Sequence, residues 1–572
     1  MNTNDIQQQT TINIQEKANL IWAIADKLVG TYKPHEYGNV ILPMCVIKRF
    51  EDTLAPTKDA VLAKDAELTE KNVAPELRAK FFENISGLKF YNLSKFSFQT
   101  LLDDADNIKD NFVQYLNKFS KDVVDIIHRM DFDREIQKMA DNGLLYLVIK
   151  EFCTAKADLS AEKVSSVDMG YIFEELVRKF SESYDEQAGA HFTARDIIYL
   201  MAELLIGDHE RQMADDGIVA SIYDMAMGTS QMLGCLTERF LKIDPEAEIT
   251  AYGQELNNQT FAIAKADTLI KGGNADNMRQ GDTLGDDQFR DYTFNYIISN
   301  PPFGIEWKTS KAKVDEEAKL GEAGRFGAGL PSVGDGQMLF LLNGVAKLRD
   351  DGRMAIIQNG SSLFKGDAGS GESDIRGYLL ENDLLEAIIQ LPNDLFYNTG
   401  IATYIWLISK CKSPQRQGKV QLIDASHCYE KRRKSLGNKR VEISDQCRDM
   451  IKRAYLDFAD STYTEGELQV ESKVFSNEYF KYSKLTITDP SSKKKDTEIV
   501  PWLQDISEYM ERNVYPYAPK AKIDDKKTKT GYEIPFTREF YKYVAPRRSD
   551  EIFAHLKELE SQEAELMSKI LG

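Results

Sequence analysis

Cysteine is scarce in this chain. The six that occur, Cys45, Cys153, Cys235, Cys411, Cys428 and Cys447, never fall at a CxxC spacing. That argues against a disulfide framework or a cysteine-clustered zinc site and fits reduced, mostly buried thiols. The six histidines form no HExxH or other paired-ligand spacing, so nothing points to a metal. Long apolar runs are missing too, and none approaches the roughly 20 residues that a bilayer-crossing helix needs. The first residues, Met1-Asn-Thr-Asn-Asp-Ile-Gln-Gln-Gln, lack the basic-then-apolar order of a signal peptide. We therefore expect a cytoplasmic protein without a membrane partner. No helicase or nuclease motif stands out. Positive charge is also deficient: 72 Lys and Arg face 91 Asp and Glu, a net charge of −19. Binding to duplex DNA draws much of its affinity from Lys and Arg neutralising phosphates. A chain this acidic is poorly suited to gripping DNA unaided, although such a balance also serves solubility alone.

What is present is a series of short apolar runs, each followed by a chemically suggestive loop. Phe294–Ser299 reads as a buried strand and leads into Asn300-Pro301-Pro302-Phe303. An Asn side-chain oxygen and an adjacent backbone carbonyl can accept both N–H bonds of a planar exocyclic amine and draw its lone pair out of the ring plane. The prolines fix that carbonyl, having a locked φ and no N–H, and Phe303 can stack on a base. An ordinary strand-to-loop exit is equally open for the tetrapeptide alone.

The neighbouring runs extend the pattern. Ile218–Tyr223 is followed by Asp224-Met-Ala-Met-Gly228-Thr229-Ser230 and a helical stretch from Gln231. A strand, glycine turn and helix present backbone N–H groups to a nucleotide-like ligand. Ile249–Tyr252 then leads to Glu255, placed to accept ribose hydroxyls. Gly281-Asp282-Thr283-Leu284 follows, where a carboxylate can receive an adenine amino group. Each acid alone could be a solvated loop residue, but the four features in this order make coincidence improbable.

On these residues the chain resembles the modification (methyltransferase) subunit of type I restriction–modification systems, S-adenosylmethionine-dependent DNA adenine-N6 methyltransferases. Gly170–Phe180 with Gly189-Ala-His-Phe192-Thr193-Ala-Arg195 is similar to the segment before that family's first strand. There the Phe-Thr pair cups the methionine end of the cofactor. Asp350–Ile357 and Ile388–Gly400 resemble the later strands, and Gly531–Tyr541 a tail motif of these subunits. The resemblance implies that Asn300, Pro301, Pro302 and Phe303 are catalytic. It implies that Phe192, Thr193, Asp224, Gly228, Thr229, Ser230, Glu255, Asp282 and Leu284 hold S-adenosyl-L-methionine. It also implies methyl transfer to a flipped-out adenine of DNA, a separate specificity subunit shared by two modification subunits, and a restriction/translocase subunit. Two positions depart from the pattern. Ser230-Gln231 stands where a further glycine or two is usual, and Ala194 where proline is.

A length of 572 residues exceeds one domain, and three parts are expected. Residues 1–165 read as a helical domain, with Leu20, Ile21, Ile24 and Leu28 at helical spacing and a bend or start near Pro43. Residues 166–430 read as an α/β catalytic domain with a doubly wound, mainly parallel sheet. Its strands fall at 218–223, 249–252, 294–299, 353–358, 387–391 and 403–409, the last two antiparallel. Residues 431–572 read as a mixed, partly helical partner-binding tail. The glycine-rich stretch 304–336 is expected to order only with substrate, and Ser491–Lys495 and Lys520–Thr530 to be linkers. Lys431-Arg-Arg-Lys434 with Lys439-Arg440 is the densest basic cluster, facing phosphate, an acidic partner or solvent. The terminal helix carries Ile552, Leu556, Leu559, Leu566 and Ile570 at near-heptad spacing, suited to another helix in this chain or in a second subunit.

Overall fold

The computed structural model describes residues 23–160, 162–164, 169, 172, 193–207, 209, 213, 217–396, 399–436, 438–490, 495–543 and 547–571. Phe192, His191, Leu20 and Ile21 lie outside the described residues, as does most of 170–190. Two compact units emerge, Met1–Ile534 and Pro535–Gly572.

The first unit opens with helices. α1 (Gly38–Leu54), α2 (Lys58–Glu70), α3 (Pro75–Ser86), α4 (Ile108–Leu116), α5 (Lys121–Arg129), α6 (Phe132–Asp141) and α7 (Leu145–Phe152) follow in order. Pro43 lies inside α1 near its beginning, where a proline forfeits one backbone bond without ending the helix. Phe50, Phe98, Phe112, Tyr115 and Phe132 build an aromatic core among these helices.

Among the described residues the main sheet contains ten strands. They are β1 (Val219–Asp224), β2 (Glu248–Glu255), β3 (Met278–Gln280), β4 (Phe294–Ser299), β5 (Leu348–Asn359), β6 (Leu385–Gln390), β7 (Thr403–Ser409), β8 (Lys419–His427), β11 (Ser461–Glu465) and β12 (Leu468–Ser476). Between β8 and β11 comes a separate hairpin of β9 (Glu430–Leu436) and β10 (Lys439–Glu442). The order across the sheet is β11-β12-β8-β6-β7-β5-β4-β1-β2-β3. β3, β2, β1, β4 and β5 pair in parallel. β7 is antiparallel to both β5 and β6, which returns β6 and β8 to the common direction. The carboxyl ends of β1–β6 and β8 therefore share one edge, where ligands of open α/β sheets bind. The expected strands all form, with ends shifted by a few residues.

Helices cover both faces. α8 (Arg195–Ile206), α9 (Gln231–Ile243) and, after the hairpin, Asp445–Asp457 bury Leu200, Leu204, Leu233, Leu236, Ile451 and Ala454 in one sheet-facing core. α10 (Asn258–Ile270) is shared between two cores. Phe261 and Ala264 belong to the sheet core, whereas Ala262, Ile263, Ala266 and Leu269 belong to the N-terminal helices' core. The near-continuous apolar surface of α10 thus ties the two layers together. Lys265 reinforces that junction with Asp122 at 3.3 Å and Asp125 at 3.4 Å, and Arg129 Nη1 donates to Gln280 Oε1 at 2.7 Å.

Several expectations differ from the structure. The main sheet does not stop near residue 430, because β12 adds to β8 over its full length. Residues 491–494 lie outside the described residues. Lys495 begins β14 (Lys495–Pro501), which pairs with β13 (Lys481–Thr488), and the stretch 520–530 supplies β15 (Lys522–Ile523) and the start of β16 (Lys529–Tyr532). These described parts of the presumed linkers are thus strands of a second, four-stranded sheet. Arg376 pins that sheet, its guanidinium donating to the carbonyls of Tyr532, Ser362 and Lys365. The glycine-rich stretch is also folded. Helix Lys311–Ala318 lies within it, and Arg325 bonds Glu317, the Thr283 carbonyl at 2.7 Å and Asn343 at 3.0 Å. Long-range bonding by one arginine overrides the local glycine content. The second unit consists of helices Phe536–Phe540 and Ser549–Leu571.

A buried charge cluster joins the halves of the sheet. Glu386 on β6 accepts from Arg353 of β5 at 3.1 Å and from the Tyr455 hydroxyl, with Arg416 at 3.6 Å. Burial alone would raise the Glu386 carboxyl, but Arg353 and Arg416 hold it below its ordinary value of 4.5. Its contribution to stability is therefore present above that value and is lost as pH falls through the lowered one. Glu386→Ala leaves two guanidinium charges buried without their partner. It should cost about 3–5 kcal/mol, read as a lowered midpoint of urea unfolding.

Candidate active site

The site grows from the carboxyl ends of four neighbouring strands. β1 ends at Asp224, fully buried between β2 and β4. One carboxylate oxygen, Oδ1, accepts the Ser299 hydroxyl at 2.6 Å and the Ala226 N–H at 3.1 Å, while Oδ2 has no partner among the described residues. Burial, with Glu255 nearby, pushes this carboxyl up to about 7 despite those two bonds.

The chain then turns through 225–230 into α9. Gly228 adopts φ +53 and donates its N–H to Glu255 Oε2 at 3.0 Å. Met227 fits because β2 has Gly253 beside it, where any Cβ would stand 2.2 Å from the Met227 sulfur. Ser230, the residue before α9, sits at φ +69 and makes no side-chain capping bond. Left-handed backbone costs a residue with a Cβ roughly 1–2 kcal/mol. This is the position where the sequence departs from glycine, so the departure is felt as strain.

Glu255 closes β2. Its Oε1 accepts the Asn257 N–H at 2.8 Å, and burial raises its carboxyl. Asn257 in turn caps α10 through Gln259 N and Thr260 N, both at 3.0 Å. After β3, Asp282 accepts the Leu284 N–H at 3.0 Å and the Ser310 hydroxyl. β4 delivers Asn300. Its amide nitrogen donates to Thr193 Oγ1 at 2.8 Å, and its buried carbonyl oxygen has no partner among the described residues.

These residues enclose a cavity of about 570 Å³. Thr193, Asp224, Gly228, Thr229, Glu255, Asp282, Asn300 and Pro302 line it, so eight sequence-predicted residues meet in one place. Ser230 and Pro301 are buried beside it without lining it. Phe303 is half-buried against the sheet core and not on the cavity wall. Leu284 faces a second cavity of about 1380 Å³ with Asp286, Arg290 and Lys313. Phe192 lies outside the described residues.

Sequence reasoning missed Ile198, Met225, Met227, Met232, Asn257, Thr260 and Phe340, all on the cavity wall. The Asn257 cap, two residues after Glu255, was a readable helix-start signal. Among the described residues the wall holds three carboxylates and no Lys or Arg, an acceptor set suited to a cationic ligand with sugar hydroxyl and base amino groups. Two buried acceptors, Asp224 Oδ2 and Asn300 Oδ1, have no donor among the described residues and point to hydrogen-bond donors on a ligand.

Comparisons with known proteins agree on one family. A sequence profile described as N-6 DNA Methylase matches residues 165–495, and one described as HsdM N-terminal domain matches residues 17–152. The chain is 26% identical over 435 residues to the Type I restriction enzyme MjaIX methylase subunit of Methanocaldococcus jannaschii, covering 72% of this chain and 73% of that one. It is 24% identical over 551 residues to the MpnII methylase subunit of Mycoplasma pneumoniae, covering 85% and 95%. The crystal structure of a type I restriction-modification methyltransferase subunit from Streptococcus thermophilus superposes with a TM-score of 0.64 at 22% identity, covering 82% of this chain and 97% of that one. That likeness establishes the fold.

Ser230→Gly should relieve the left-handed strain without losing a cap. A stabilisation of about 1 kcal/mol is expected, measured as a raised urea midpoint; a lowered one would show that the side chain is needed there.

Proposed function

This chain belongs to the N-6 DNA methylase family, whose profile spans more than half of it, and from that premise we propose how its residues act. It is a type I modification subunit that transfers a methyl group from S-adenosylmethionine to N6 of an adenine in DNA. The observation that carries this reading is the Asn300 carbonyl oxygen, buried and unpartnered, on a cavity also lined by Asp224, Glu255 and Asp282.

S-adenosylmethionine supplies, when bound, an activated methyl group on a sulfonium cation. Asp224, Glu255 and Asp282, with the Gly228–Thr229 turn and Thr193, hold it. The absence of Lys and Arg from the described wall suits a cationic centre. Reaching the target base requires flipping it from the duplex. Asn300 Oδ1 and the Pro301 carbonyl accept the two N–H bonds of the amine, and Phe303, packed against the sheet core in this structure, turns toward the cavity to stack on the ring. Thr193 is a positioning residue for this step. By accepting from the Asn300 amide nitrogen at 2.8 Å, it turns the carbonyl oxygen toward the base. Catalysis is then mainly positioning and electrostatics.

A net charge of −19 supports a separate specificity subunit that supplies target affinity and sequence readout. Two modification subunits share it, together with a restriction/translocase subunit. Residues 1–165 act as the helical part, 166–430 together with strands β11 and β12 as the catalytic part, and the rest of 431–572 as the partner-binding part. Among the described residues no helix is long and apolar enough to cross a membrane, and we place the protein in the cytoplasm.

Asn300→Ala should lower transfer at least a hundredfold by analogy with removing one oriented catalytic donor or acceptor, and Phe303→Ala should abolish it by removing the stacking face, while cofactor binding measured by calorimetry survives in both. Thr193→Ala should lower kcat, and Thr193→Ser, which keeps the hydroxyl, should restore much of it. Loss of cofactor binding in both Asn300→Ala and Phe303→Ala would count against these roles.

The Asp224 carboxyl, raised to about 7, gives a pH signature. A bound cation favours the ionised form, so cofactor affinity should be full above pH 7 and fall as pH drops through it, approaching tenfold per unit. Asp224→Asn should bind weakly with that acid fall removed. An unchanged pH profile in this variant would dissociate Asp224 from binding.

A further inference from the structure

The catalytic residues do not account for the basic hairpin of β9 and β10. It leaves the sheet just after β8, at the edge shared by the carboxyl ends of β1 and β4. It is anchored beside the active site at both ends, through Lys439 at its turn end and Ile443 just past its base. Lys439 Nζ is buried and donates to Asp196 Oδ2 at 2.8 Å and to the Leu395 carbonyl at 3.1 Å. The same Asp196 oxygen accepts the Ile443 N–H at 2.9 Å. Asp196 stands three residues along the chain from Thr193, the residue that lines the cavity and holds Asn300. Arg432 is internally neutralised by Glu442, and the Arg440 N–H fastens the hairpin to the Asp394 carbonyl at 2.8 Å.

With Lys439 and Arg432 committed to structure, Lys431, Arg433 and Arg440 remain. All three are exposed, and none has an acidic partner among the described residues. Three unneutralised cations on one two-stranded hairpin are conspicuous in a chain of net charge −19. An acidic surface elsewhere would repel a polyanion, so phosphate binding must concentrate where cations do. We propose that this hairpin is a phosphate-binding arm, with Lys431, Arg433 and Arg440 gripping the backbone of the DNA strand beside the flipped base. Such bonds position the strand and carry no sequence information. This inference rests on the DNA methylation reading above.

The test uses the full chain in complex with its specificity subunit and a labelled random-sequence duplex. Binding is titrated against salt for the wild type and for the Lys431→Gln/Arg433→Gln/Arg440→Gln triple variant. The variant should bind more weakly, and its log–log salt slope should shrink by about 0.9 for each phosphate that is no longer neutralised. Intact cofactor binding in the variant would show that its fold is unaltered. An unchanged slope alongside wild-type DNA binding would overturn the proposal and leave the methylation reading standing. Dissociation of the specificity subunit from the variant complex, with the slope of the remainder unchanged, would reassign the hairpin to subunit assembly and equally overturn it. A wild-type complex that binds no DNA at all would sink the methylation reading and this inference with it.

Discussion

Everything in the site depends on two acceptors being kept buried and unsatisfied on adjacent strands. Asp224 Oδ2 ends β1 and Asn300 Oδ1 follows β4, and the Ser299 hydroxyl bridges the two strand ends by bonding the other Asp224 oxygen. An unpaired buried acceptor costs roughly 1–3 kcal/mol, so the scaffold must hold both against collapse. It does so with central parallel strands, with Thr193 at the start of α8 accepting from the Asn300 amide, and with Gly228 donating to Glu255 to fix the turn. Such local cost persists only where the surrounding structure over-determines it. The same reasoning covers Ser230, held left-handed at the start of α9.

Charge is distributed to match. The described cavity wall is acidic and lacks Lys and Arg, which suits a cationic cofactor. Lys431, Arg433 and Arg440 lie on the β9–β10 arm at the same sheet edge. In the proposed reading, the small ligand meets the carboxylates and the polyanion meets one limited surface. That leaves much of the DNA affinity to another subunit, in keeping with the strongly negative balance of the chain.

Legibility in the sequence followed the locality of each signal. β4 and β7 match the expected runs 294–299 and 403–409 residue for residue, because a short, mostly apolar run bounded by polar loops reads as a buried strand. The antiparallel β6–β7 pair followed from a loop too short for a crossover. β12 and β14 were not anticipated, since their alternating, half-exposed residues look polar. Arg325 orders a glycine-rich stretch by reaching carbonyls some forty residues away in sequence, which no local pattern announces. Within the site, Asp224, Glu255, Asp282 and Asn300 were readable from their places after strands. The bond between Asn300 and Thr193, 107 residues apart, was not, nor was the turn of Leu284 toward the other cavity.

The most direct measurement is methyl transfer from labelled S-adenosylmethionine to duplex DNA, followed by digestion to nucleosides, with this chain alone and with its specificity subunit. The account predicts label on N6-methyladenine, and only when the partner is present. Label on cytosine, or efficient sequence-specific transfer by the chain alone, would contradict it.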